Sequence, residues 1–489
     1  MSTSPTLATV AHVSGPQRPG WSLALLALAQ LIFSLDLNIV FVALPDIGAD
    51  LGFPGQTQQL VVSAYVVLAG GFLLLGGRAA DLFGRRRVFI LALTIYAVSS
   101  LAGGLAESPA VIIAARAVQG IGGALLLPST LSLINTLFEE GPKRNKALAV
   151  WGGAGASGLT IGALLGGILT ESFGWPAVFY VNVPLAGAVA LAALAVIPRD
   201  AQRTEKRKFD LPGALTATGG STLLVFALVE GPEMGWSSAT VIVAFAAAVV
   251  LLVAFAGIEA RSKDPLMPFR LFRNRNLSVG MTVTFLYMAT FGTLPYFLTV
   301  LMQNVHGYSA LQTGLAFLVP SVAIATGTQV GERLTTRLGT RTTLIAGFII
   351  GAVGTAILAL GFDAEASYLT ALPGLILSGV GQGIVWTGMW IAASTGVAPN
   401  EQGIANGMAS TTLNIGNAIG LAILTVIADV GTGGKAGDAL REATADGEFI
   451  VVLLTAAGML LGLLITLGLP RKTCTPTRTS AEDPVLTAR

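Results

Sequence analysis

The sequence predicts an all-α integral membrane protein with fourteen spanning helices. Three observations carry this. Hydrophobic residues make up 53% of the 489 and charged residues only 11%, with a mean hydropathy of +0.75, whereas a soluble domain carries roughly 25% charged residues. Apolar runs long enough to span a bilayer, about 20 residues each, recur fourteen times. The cations between those runs fall almost entirely on alternate loops, as the positive-inside rule requires.

The runs are 21–45, 57–80, 88–106, 109–137, 147–170, 175–198, 211–231, 239–260, 277–304, 310–332, 341–361, 368–396, 402–429 and 448–470. The first is too long for a signal-peptide core and reads as an uncleaved spanner. The seventh and eighth are the weakest, being short and separated by Gly231-Pro232-Glu233-Met234-Gly235-Trp236. With both termini cytoplasmic, 25 of the 28 cations lie in inside segments. Only Lys435 and Arg441 fall outside, and Arg116 lies within a span. The outside loops are neutral or acidic, with Asp46, Asp50, Glu107, Glu171, Glu230, Glu233, Asp363 and Glu365. Losing or adding one span would scramble this asymmetry, so the count is even and the orientation follows. A multi-pass protein of the cell membrane is expected. The arginine excess over lysine (21 to 7) and the 60 glycines point towards a bacterial inner membrane.

Between the second and third runs lies Gly77-Arg78-Ala79-Ala80-Asp81-Leu82-Phe83-Gly84-Arg85-Arg86-Arg87. Five charges so close together cannot sit in hydrocarbon, so this is a tight loop at the membrane surface. It resembles the G-x-x-x-D-x-x-G-R-R/K-R/K signature between the second and third helices of the major facilitator superfamily. Gly331 to Arg341 echoes it faintly, with Gly339 matching Gly84 and Thr336 standing where Asp81 stands. The chain therefore divides into a tail (1–20), a six-helix bundle (21–198), two inserted helices with flanking basic segments (199–276), a second six-helix bundle (277–470) and a tail (471–489). The resemblance implies the major facilitator fold. Parallel repeats of this kind place a substrate site near the midplane between the halves. Residues 261–276 alternate apolar and basic residues and read as a segment lying on the anionic inner leaflet.

Asp36, in Leu35-Asp36-Leu37-Asn38-Ile39-Val40-Phe41-Val42-Ala43-Leu44-Pro45, is the one acid read well inside a span, and Arg116 the one base. A charge there is costly and must face a cavity or a partner. Desolvation favours a neutral acid and a neighbouring cation favours the carboxylate, so a carboxyl under both pressures can bind and release a proton. Asp36 lies nine residues, about 13 Å, from Pro45, and Arg116 seven residues, about 10 Å, from Pro109, so their depths allow a meeting. A fixed structural ion pair is the alternative. The first stretch resembles the L-D-x-T pattern of the fourteen-spanner drug:proton antiporters, with Asn38 in place of threonine and Phe41 in place of asparagine. Arg116-Ala117-Val118-Gln119-Gly120-Ile121-Gly122 resembles the R-x-x-Q-G-x-G motif that this family links to proton transfer. The resemblance implies that Asp36 and Arg116 couple transport to protons.

Gly155, Gly158, Gly162 and Gly166 share a face of the fifth helix and allow close helix contact. The run resembles the antiporter signature, with Ala163 replacing its proline, and generic packing is the alternative. Trp175 to Gly187 resembles the segment that opens the sixth helix. By resemblance Gly77, Asp81, Gly84 and Arg85 form a conformational latch, Asp81 capping a helix of the other half near Glu401-Gln402-Gly403, with a purely local turn as the alternative. A substrate cavity is expected from Asn38, Gln119, Tyr287, Tyr296, Gln382, Trp386, Trp390, Asn406 and Asn414, amides and aromatics that make a neutral, stacking pocket. The second half shows no carboxylate read as buried mid-span, which argues for a neutral or weakly charged organic compound over a dication.

Other classes find no support in the residues. His12 and His306 lie outside the runs, Cys474 stands alone in the tail, and no Cys/His/Asp constellation offers a nucleophile or a metal site. No G-x-x-x-x-G-K-S/T loop is present for nucleotide. Gly153 to Gly158 matches G-x-G-x-x-G but follows no strand. The expectation is a monomeric, proton-driven exporter of amphipathic drugs, antibiotics or secondary metabolites. It is not an enzyme, it needs no cofactor, and its partners are a small molecule, protons and lipid rather than nucleic acid. An importer or narrow metabolite facilitator of the same superfamily is the alternative.

Overall fold

The computed structural model describes residues 19–53, 58–200, 210–262 and 264–470. Most of the two tails, Cys474 and the basic stretch 201–209 fall outside them. Fourteen helices are long and apolar enough to cross a membrane, and no strand occurs among the described residues. In chain order they are α1 (Pro19–Asp50), α2 (Leu60–Phe83), α3 (Arg85–Gly104), α4 (Pro109–Leu137), α5 (Pro142–Phe173), α6 (Pro176–Tyr180 and Asn182–Val196), α7 (Leu211–Met234), α8 (Ala239–Glu259), α9 (Arg275–Ala289, Leu294–Val300 and a π-turn Leu301–Val305), α10 (Ala310–Ala316 and Leu318–Leu338), α11 (Thr340–Ala359), α12 (Tyr368–Ser394), α13 (Gln402–Ala428, entered by a 3-10 turn Pro399–Glu401) and α14 (Asp438–Thr466). Several run past their apolar stretches. α1 continues through Pro45, and α14 begins ten residues before the apolar run.

The breaks have local causes. A proline lacks the N–H that would bond the carbonyl four residues earlier. Pro184 interrupts α6 at Val181, Pro295 interrupts α9 near Phe291, and Pro320 interrupts α10 at Phe317. The Ala316 carbonyl that Pro320 leaves without an intrahelical donor is taken up by the Tyr368 hydroxyl at 2.7 Å. A buried carbonyl in a membrane needs such a partner.

The packing repeats itself. Helix α1 contacts α4, α5 and α6, α4 contacts α2 and α3, and α3 contacts α6. The same pattern recurs when eight is added to each number: α9 with α12, α13 and α14, α12 with α10 and α11, and α11 with α14. The two sets meet along α2–α13, α4–α13, α5–α10 and α5–α12. Helix α7 lies across the α2–α13 seam and touches both helices, with α8 packed on its outer side.

Without a hydrophobic drive between helices in lipid, close approach depends on small residues. A Cβ on Gly158 or Gly162 of α5 would strike the Leu31 or Leu35 carbonyl of α1, and one on Gly166 would lie 2.8 Å from the Ile39 carbonyl. The glycine face thus seats α1 around Asp36. Gly155 faces Gln30 and Ser34 of the same helix. Gly162→Ala is expected to cost about 1–3 kcal/mol, as overpacking does. Gly167→Ala, with nothing within 4 Å of its Cβ, should leave the thermal-unfolding midpoint of the purified protein at or above that of wild type. Equal midpoints for the two variants would refute this reading of the face.

Candidate functional site

Inside the first bundle, α1, α2, α3, α4 and α6 converge on Asp36. Its side chain has no exposed surface, and Arg116 is 1% exposed. An Arg116 Nη1 donates to Asp36 Oδ2 at 2.7 Å. Gln119 Nε2 and Asn182 Nδ2 donate to Asp36 Oδ1 at 2.9 and 2.8 Å. The arginine is held further by the Val61 carbonyl (3.2 Å to Nε), by Gln119 Oε1 (2.7 Å) and by the Tyr65 ring, 4.4 Å from its guanidinium carbon. That last contact is a cation–π pair. Gln119 Nε2 also donates to Ser100 Oγ at 2.8 Å, and the Tyr65 and Tyr96 hydroxyls lie 3.3 Å apart. Both carboxylate oxygens are therefore satisfied, and an ion pair in so low a dielectric is held by this completeness.

One expectation changes here. Every hydrogen-bonding partner of Asp36 belongs to the first bundle, so the acid faces that bundle's interior rather than the seam between bundles. Gln119, expected in the substrate cavity, is buried on the same side of α4 as Arg116, three residues away, and completes the acid's shell. Asn182 completes it too and was not anticipated as a site residue. Its signal was visible as the only amide in the sixth apolar run. Tyr65, Tyr96 and Ser100 gave no such signal, because single hydroxyls in apolar helices usually bond the backbone one turn earlier.

At the face carrying the α2–α3 loop, here called the basic face, the bundles are joined by Asp81. This residue is 1% exposed. Its Oδ2 accepts from Ile404 N at 2.8 Å, one of the first N–H groups of α13, and its Oδ1 accepts from an Arg85 Nη2 at 3.3 Å. A carboxylate at a helix N-terminus meets unsatisfied donors and the positive end of the dipole. Arg85 also donates to the Pro399 carbonyl. Gly77 and Gly403 make this possible, since a Cβ on either would run into the other's carbonyl oxygen. Gly84 turns the chain at φ +100°, and Gly339 does the same at φ +87° between α10 and α11. The Thr336 hydroxyl, at the place equivalent to Asp81, accepts from Asn145 Nδ2 of α5 at 3.2 Å. The α8–α9 connection contributes Arg270, which forms a two-pronged pair with Glu401.

Between these points the bundles share an aromatic cluster. Trp151 of α5 lies 6.0 Å from Trp386 and 5.8 Å from Trp390 of α12, which are 5.9 Å from each other, measured between ring centres. Tyr287 of α9 packs on Trp386 at 5.4 Å and hydrogen-bonds Gln382. The indole N–H groups of all three tryptophans are buried with no hydrogen-bond partner. On α13, Asn406 accepts from Asn135 Nδ2 of α4 at 3.3 Å, leaving its own Nδ2 unpaired. Of the remaining residues expected here, Asn414 bonds the Ser410 carbonyl of its own helix, and Asn38 is half-buried two residues beyond Asp36. Tyr296 is 47% exposed and sits edge-on to Phe297, away from the cluster. The break at Thr290–Thr293 explains this, because it turns the second half of α9 out of register with the first. Trp151 had not been expected to take part. The second half was expected to hold no carboxylate buried mid-span, and it does hold a buried acid at the start of its last apolar run. Glu448 is 1% exposed, ten residues inside α14.

Two sets of six spans with the same internal contacts, two further helices beside their seam, a buried acid–base pair in one set and an aromatic cluster between the sets describe a multi-pass membrane transport protein. The Major Facilitator Superfamily profile matches residues 26–421. The puromycin resistance protein of Streptomyces alboniger is 37% identical over 460 residues, covering 92% of this chain and 91% of its own. The cephamycin export protein of Amycolatopsis lactamdurans is 39% identical over 418 residues, 85% of this chain and 86% of its own. The tetracenomycin C resistance and export protein of Streptomyces glaucescens is 30% identical over 413 residues, 84% and 76%. Among solved structures, the human organic anion transporter MFSD10 superposes with a TM-score of 0.67 at 19% identity, over 92% of this chain and 99% of the other. The chain belongs to the Major Facilitator Superfamily.

Proposed function

We propose that the protein is a proton-coupled exporter of amphipathic antibiotics or secondary metabolites, working by alternating access from a bacterial plasma membrane with both termini in the cytoplasm. The observation that carries the coupling is the buried Asp36–Arg116 pair. Protonating Asp36 removes the charge that balances Arg116 and loosens a shell to which five helices contribute, so gain or loss of one proton repacks the bundle. Export as the direction rests on the relatives, whose names record resistance or export. The substrate is read as meeting the bundles at the tryptophan cluster. Buried donors without acceptors cost roughly 1–3 kcal/mol each. An acceptor-bearing, stackable compound entering between the bundles would relieve that cost.

The test is a pump-deficient bacterial host expressing the protein, profiled against puromycin, a cephamycin, tetracenomycin C and lincomycin with and without a proton uncoupler. At least one compound should show raised resistance that the uncoupler abolishes. Unchanged susceptibility to all four, or resistance indifferent to the uncoupler, would count against the reading. For an exported compound, Trp386→Ala is expected to raise the half-saturating concentration about 2- to 10-fold, the worth of an aromatic contact of 0.5–1.5 kcal/mol. Tyr296→Ala, outside the cluster, should leave it unchanged.

A further inference from the structure

Asp36 is satisfied on both oxygens, but Glu448 is not. Its side chain is buried, its Oε2 has no hydrogen-bond partner, and it forms no ion pair among the described residues. Helix α14 packs on α9 with its π-turn, on α11 and on α13. Between Arg275 and His306, α9 has no charged residue, α11 has none beyond Arg341, and α13 has none before Asp429. Gly447 seats α14 directly on the Ala428 carbonyl, which brings Asp429, a second acid, into electrostatic range of Glu448. His306 is bonded to the Asp363 carbonyl. On α14 itself, Arg441 is committed to the Val305 carbonyl and to Asp438, and Glu442 and Asp446 are further acids. Among the described residues no cation pairs with the Glu448 carboxyl, Lys435 lying against the other face of α14. An unpaired carboxylate there would bear the full cost of desolvation, which disfavours the charged form. A groove of about 230 Å3, lined by Lys435, Asp446, Gly447 and Ile450, lies on that other face, and the Glu448 carboxyl does not line it.

We propose that Glu448 is a second proton-binding site, in the second bundle. It carries a proton in the arrangement with the basic-face contacts closed, and releases it when the bundles rearrange. The role in coupling rests on the transport reading above. Protonation of the residue does not.

The full chain reconstituted in lipid at neutral pH should show an infrared C=O band of a protonated carboxylic acid that is missing in Glu448→Gln. The same band should fade in wild type as the pH is raised. Should the amide disturb folding, Glu448→Met replaces it. Spin labels at Phe173→Cys and Leu311→Cys, with Cys474→Ser, report the separation of the bundles away from the basic face. Their distance distribution should shift between acid and alkaline pH, and that shift should be lost in Glu448→Gln. Absence of the band in wild type overturns the proposal. A band with an unaltered pH response of the distances in Glu448→Gln overturns the coupling role. Neither readout needs a transported compound, so failure of the export reading would leave both intact.

Discussion

Asp36→Asn is expected to abolish proton-driven transport while leaving the protein inserted and folded. Asparagine keeps the shape and can still accept from Gln119 and Asn182. It cannot balance Arg116, which is buried with Val61, Gln119 and Tyr65 as its other partners. Breaking a buried pair by removing one partner costs about 3–5 kcal/mol. The thermal midpoint should fall in Asp36→Asn and recover in the double variant Asp36→Asn with Arg116→Gln, because the uncompensated cation is then gone. Transport should not recover in either. Proton uptake driven by an exported antibiotic in proteoliposomes makes the check. A wild-type proton-to-drug ratio in Asp36→Asn would reduce the pair to a structural tie.

Much of this arrangement was legible in the sequence because charges in a bilayer are expensive and therefore sparse. Twenty-five cations confined to alternate loops leave little freedom in the span count. One acid and one base at matching depth leave little freedom in their pairing. Asp81 was readable for the same reason: a single acid bracketed by glycines at a helix end has few donors to reach. Neutral groups carry no such penalty signature. Nothing in Gln119's type says whether it faces the seam or the bundle. Only its spacing of three from Arg116, combined with Arg116's direction, decides that. Glu448 was misplaced because hydropathy marks where the apolar run begins, whereas α14 begins at Asp438. A residue at the first position of an apolar run was therefore already enclosed by helix packing. Trp151 was passed over because one indole at the start of a glycine-rich run looks like ordinary packing until α12 is set against it.

Asp81→Ala is expected to open the basic face. In the present arrangement the carboxylate caps α13 across the seam through Ile404 and is steadied by Arg85. Loss of an N-cap costs about 0.5–2 kcal/mol, and loss of a charge at the positive helix end up to about 2 kcal/mol in partly buried geometry. A combined bias of roughly 1.4–3 kcal/mol corresponds to about a 10- to 100-fold shift in population towards the open form. The equivalent contact in the other half is weaker. The Thr336 hydroxyl and the Asn145 amide form a neutral bond, and a charge-assisted bond is roughly twice as strong as a neutral one. The two halves of the closure are therefore unequal, and Asn145→Ala should shift the population by only a few-fold. Ser410 is buried against the seam, two turns beyond Asp81's contact on α13, so Ser410→Cys with Cys474→Ser gives a thiol that is reached only when the basic face opens. A polar thiol reagent applied from that face should label it at least about tenfold faster in Asp81→Ala, and in proportion to the population released. Equal labelling rates with and without Asp81 would mean that the carboxylate only shapes its own loop, and that the closure is carried by helix packing at Gly77 and Gly403.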